Sequence, residues 1–196
     1  MFPDQDIVAA GSGTLADLAP GEVGIGCYPG VTVVSGDRFV FPRPSAAPLA
    51  WIRPTLAERT YYAAVWPVRA WGACAIWERA VVRRSFSATR VHIIEDSGLP
   101  AVWERGFWAG QHPIEYPLGT YPDPQSLPFD PEVFAAEAAR QWFGPEHGDV
   151  AINRFRVCEP GSLPVPVVDA GLARRIAILT GGGVRERRRT ARSRRA

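Results

Sequence analysis

The sequence predicts an α+β domain, a mainly antiparallel sheet with one packed helix, from three observations. Three successive runs, Thr60 to Trp66, Ala70 to Glu78 and Ala80 to Ala88, are rich in aromatic and β-branched residues and separated by short turns, the pattern of a meander. Asp130-Pro131-Glu132 opens a helical stretch that Gly144-Pro145 closes. Pro and Gly number 19 each in 196 residues, which implies many turns and short elements.

Taken in order, Met1 to Pro20 reads as polar and turn-rich. Glu22 to Tyr28 alternates as a strand, Pro29-Gly30 turns the chain, and Val31 to Val34 returns as a second strand. Arg38 to Phe41 offers a third before Pro42-Arg43-Pro44 interrupts it. Within the run from Ala80, Val82, Arg84 and Phe86 should share the buried face, where Arg84 breaks the apolar pattern. The helix from Pro131 to Phe143 has Asp130 as its cap, an acid in its first turn and a stripe of Phe134, Ala138 and Trp142 to pack on the sheet. Asp149 to Val157 alternates as a late strand. These elements define a domain over 1–158, followed by a Pro-rich linker over 159–168 and a short helix over 169–183. In that helix Leu172, Ile176 and Leu179 share a face, and Gly181-Gly182-Gly183 stops it. Residues 184–196 form a disordered basic tail.

All 22 basic residues are Arg, and Val184 to Ala196 carries a charge of +6 within a chain of net charge +2, so the remainder is acidic at −4. Cys27, Cys74 and Cys158 form no CxxC pair, and their odd number argues against a complete disulfide framework, which fits a reducing cytoplasm. The first residues lack a basic and then apolar leader, and no run of about 18 apolar residues occurs, so neither secretion nor a membrane span is expected.

Several blocks resemble an uncharacterised actinobacterial family, a domain of unknown function: Gly26-Cys27-Tyr28-Pro29-Gly30, Ile93-Ile94-Glu95-Asp96-Ser97-Gly98, Phe107-Trp108-Ala109-Gly110-Gln111-His112-Pro113, Leu127-Pro128-Phe129 and Phe155-Arg156-Val157. The resemblance spans Phe2 to Val157 and implies no activity. Members similar to this chain begin with an extra strand and helix that it lacks, and have Asp-Gly in the hairpin where this chain has Arg79-Ala80, a poorer type I′ turn.

Three groups of residues are candidates for function. Glu95, Asp96 and His112, with Glu115, could share acid and base roles or bind a metal if the fold gathers them; alternatively Glu95 to Gly98 is a solvated turn. No HExxH or related spacing accompanies them, and neither a metal nor a cofactor is implied. Trp103, Phe107, Trp108 and Tyr116 could line a ligand or partner surface, or plug the end of the sheet. Arg185, Arg187, Arg188, Arg189, Arg192, Arg194 and Arg195 could make salt-sensitive contacts with nucleic acid or an acidic partner, or reflect a GC-rich coding end with no partner. Cys27 and Cys74 read as small buried thiols. The leading expectation is a cytoplasmic, non-enzymatic binding or protein-interaction domain. A small hydrolase built on Glu95, Asp96 and His112, and nucleic-acid association through the tail, are the alternatives.

Overall fold

A computed structural model describes residues 5–48, 52, 58–116, 118–120, 122–144, 147–158 and 177–181. Its strands are β1 (Asp6–Thr14), β2 (Glu22–Tyr28), β3 (Val31–Gly36), β4 (Arg59–Trp66), β5 (Trp71–Glu78), β6 (Val81–Thr89), β7 (His92–Gly98), β8 (Ala151–Cys158) and β9 (Ala177–Gly181). The helices are α1 (Arg105–Trp108) and α2 (Pro131–Phe143). The α+β class is as expected. Sheet order is β1-β8-β2-β3-β9-β4-β5-β6-β7, and every neighbouring pair is antiparallel.

The sheet consists of two four-stranded halves joined by one short strand. Val33 pairs with Leu179, which pairs on its other side with Tyr61, so β9 is bonded along both edges. This corrects the expected helix over its last five described positions. Ala177-Ile178-Leu179-Thr180 is a short apolar run that periodicity alone cannot assign, and two unpaired strand edges decide it in favour of extended backbone. Residues 159–176 and 182–196, which include the expected linker, the start of that helix and the basic tail, lie outside the described residues.

The meander is present as β4, β5 and β6. Its second turn has Arg79 at φ 50° and Ala80 at φ 65°, so two side-chain-bearing residues hold the left-handed conformations that a type I′ hairpin demands. The expected common face of Val82, Arg84 and Phe86 is corrected by a bulge. Ile76 faces Arg84 while the next residue, Trp77, already faces Val82, which leaves Arg83 as an extra residue and turns Val82 to the opposite side. Three further expectations are corrected. Residues 6–14 of the turn-rich start form edge strand β1; Glu95 to Gly98 belong to edge strand β7; and Asp37–Phe39 is a 3-10 turn that takes the chain off the sheet and drops the Phe39 ring into the core.

Both faces of the sheet are covered. On one, Val23, Val34, Tyr62, Ala73, Trp71 and Trp77 pack under the segment that contributes Phe39, Ala47 and Ile52. On the other, α2 lies across β4 and β5, with Phe134 and Ala138 against Cys74, Phe86 and Phe107. Asp130 caps α2 as expected, its Oδ1 accepting from the Glu132 amide at 2.9 Å. The approach of α2 requires Gly72, because a Cβ there would sit 1.8 Å from the Pro131 carbonyl oxygen.

Candidate functional site

An apolar cleft of about 570 Å³ opens on the α2 face at the seam between the two halves. Its floor is Val31 and Val33 of β3 and Tyr61 of β4. Gly181 holds the register position between Val31 and Arg59 and adds no side chain there. Trp142 and Phe143, at the end of α2, form one wall, with the Trp142 ring 5.4 Å from that of Tyr61. Asp149, Val150, Ala151 and Tyr28 form the other. Tyr28 is pinned by a hydrogen bond from its hydroxyl to the Ala151 carbonyl. Gly26 permits this, since a Cβ at that position would stand 2.9 Å from the Tyr28 ring and 2.8 Å from the same carbonyl oxygen.

Among the described residues Asp149 is the one charged residue of the lining; it is exposed and has no hydrogen-bond or ion-pair partner among them. The cleft therefore combines a mostly apolar, aromatic interior with an unanswered carboxylate at its rim. Its volume falls within the range of about 300–1,000 Å³ usual for small-molecule sites.

The residues expected to be catalytic are not gathered. Glu95 accepts from the Ser45 amide at 3.3 Å on the face covered by Phe39, Ala47 and Ile52, whereas Asp96 points to the α2 face and binds Arg84. His112 is exposed and stacks on Phe107, with ring centroids 4.1 Å apart. Glu115 is also exposed. No group of three or more His, Cys, Asp or Glu among the described residues could hold a metal ion.

The aromatic group read either as a ligand surface or as a plug at the end of the sheet is largely core. Phe107 is buried among Phe129 and Phe134, the Trp103 and Trp108 rings pack against the same cluster, and the Tyr116 hydroxyl is bonded to Ser126 Oγ at 3.2 Å. The seven tail arginines lie outside the described residues. Cys74 is buried as expected, whereas Cys27 is exposed near the end of β2.

The most developed polar arrangement is one the sequence only hinted at. The Arg84 guanidinium, its side chain 3% exposed, meets Glu104, 1% exposed, through Nη2 at 2.7 Å and Nε at 3.1 Å. Nη1 reaches Asp96 at 2.5 Å and the Ser97 carbonyl at 3.0 Å. Glu104 also accepts from the Ala101 amide at 3.0 Å. Burial pulls the Arg84 pKa down, but the bonds from Glu104 and Asp96 outweigh it and hold the pKa above its usual value. This is a satisfied clamp that ties β6 and β7 to the turn before α1. Its sequence signal was a lone arginine beside Phe86 on a strand with a buried face.

The fold and cleft together describe an α+β domain with an antiparallel sheet and a lateral apolar site. Its sequence belongs to a family of unknown function, DUF6928, whose model matches residues 1–174 and so reaches beyond the limit expected at Val157. No curated protein and no solved structure matches the chain. Among the described residues no helix is long and apolar enough to cross a membrane.

Proposed function

We propose that the protein is a cytoplasmic, non-enzymatic binding domain that takes a small, largely apolar ligand into the cleft between β3 and β4. One observation carries this reading: about 570 Å³ of open space, lined by Tyr28, Tyr61, Trp142, Phe143 and three valines, at a place where a packed domain would otherwise be closed. Three free cysteines, one of them exposed, support the cytoplasmic assignment. The separation of Glu95 from Asp96 across the sheet, and the commitment of Asp96 to Arg84, leave the hydrolase alternative without a constellation.

The test is a fluorescence titration of the full chain with N-phenyl-1-naphthylamine, a neutral apolar dye that brightens on leaving water. Saturable binding is expected, weakened at least tenfold by Val31→Trp, which fills the cleft from its floor; circular dichroism would verify the fold of the variant. Absence of saturable binding to the wild-type chain, or equal affinity for the filled variant, refutes the reading.

A further inference from the structure

We infer that the cleft selects organic cations: a flat apolar body carrying a protonated or quaternary amine, the body lying over the valines and the charge placed between the aromatic rings and Asp149. This inference rests on the cleft being a binding site and adds the charge of what it binds.

Charge complementarity is the first argument. Among the described residues Asp149 is the lone charged group of the lining and is unanswered, whereas every arginine on the described elements that build the cleft is already paired. On β4, Arg59 binds Glu78 at 2.9 Å, and on α2, Arg140 binds Glu137 at 2.5 Å. On β8, Arg154 and Arg156 lie 3.7 and 3.8 Å from Glu22. Among the described residues no neighbouring guanidinium competes for Asp149, so a cation entering the mouth meets an open carboxylate.

The ring chemistry is the second argument. Tyr28, Tyr61, Trp142 and Phe143 all line the same space, and the faces of such rings attract cations, most strongly tryptophan. An anionic ligand would meet those faces and a carboxylate together, and both repel it. The size of the space supplies the third argument: an ammonium head alone would leave most of about 570 Å³ unfilled, so the ligand carries an apolar body as well.

Two probes of equal shape test this: (1-naphthylmethyl)trimethylammonium and 1-neopentylnaphthalene, in which a quaternary carbon replaces the nitrogen. Each is titrated as a competitor of N-phenyl-1-naphthylamine on the full chain. The cation is expected to displace the dye at about tenfold lower concentration than the neutral isostere, a modest ratio because Asp149 is exposed and its attraction is screened. Asp149→Asn should weaken the cation far more than the neutral isostere and so remove most of that ratio, and added salt should reduce it in the wild type. Equal displacement by both probes in the wild type overturns the selection for cations but leaves the binding site standing; a ratio untouched by Asp149→Asn overturns the part given to Asp149 in that selection. Failure of the dye itself to bind removes the site and the inference together.

Discussion

Arg84 and Asp149 are both charged side chains set beside aromatic rings, and they differ in what answers the charge. Arg84 is enclosed, and its donors are taken by two carboxylates and two carbonyl oxygens. Asp149 stands at the rim of an open cleft with no answering group among the described residues. Enclosure with complete pairing makes the first a structural clamp, since nothing is left over for a ligand. Exposure without pairing makes the second available. On the function proposed above, the ligand goes to the less elaborate of the two sites, the reverse of what a count of titratable groups suggests.

The largest expected effect breaks the clamp. Glu104→Ala removes the buried carboxylate that answers Nε and Nη2 of Arg84, leaving only Asp96 at Nη1, and should cost about 3 kcal/mol, read as a fall in urea midpoint, with dye affinity unchanged in the folded fraction. The double variant Arg84→Met with Glu104→Leu should recover much of that loss, because it removes both charges at once. If Glu104→Ala left stability intact but abolished dye binding, the division of roles between the two sites would be wrong.

The next effect concerns the thiols. Burial first, and Glu104 second, push the Cys74 thiol well above its usual pKa, whereas Cys27 is exposed. Iodoacetamide at mildly alkaline pH should therefore label Cys27 rapidly and Cys74 only on unfolding, as read by peptide mass spectrometry. In Glu104→Ala the labelling of Cys74 should accelerate as the clamp loosens.

The smallest effect lies on the exposed face of α2. Hydrogen bonding from Arg140 lowers the Glu137 pKa below the usual carboxylate range. A carboxyl depressed in the folded state contributes stability that is present above its unfolded pKa and lost as pH falls through the folded one. Urea midpoints measured across that acid range should fall less steeply for Glu137→Gln than for the wild type. An identical slope would show that the pair at 2.5 Å adds nothing in solution.

The elements that could be read from the sequence are those whose information is local. α2 has its cap, its proline and its apolar stripe within the helix itself, and the meander has long β-rich runs between short turns. β1 could not be read, because Asp6 to Thr14 is mostly exposed and so carries no alternation; pairing with β8 alone defines it. β9 could not be read, because edges contributed by residues 31–35 and 59–63 decide its conformation. The cleft inherits that difficulty. Tyr28, Tyr61 and Trp142 are far apart in the chain and look like ordinary core aromatics until the seam brings them together. Arg84 was visible as an anomaly, yet the bulge at Arg83 that sets its direction left no turn residue to mark it.

The position of β9 in the chain also sets a timetable for synthesis. β3 is complete at Gly36, but the strand that covers its free edge ends at Gly181. At elongation rates of about 5–20 residues per second, that edge waits roughly 7–30 s on the ribosome. From the completion of β4 at Trp66 onward, β3 and β4 present two unsatisfied ladders to other nascent chains, the exposure that favours edge-to-edge aggregation. Protection of the newborn protein therefore falls to β9, and an interruption of translation shortly before Ala177 would release a product with both halves of the sheet present and without the strand that joins them.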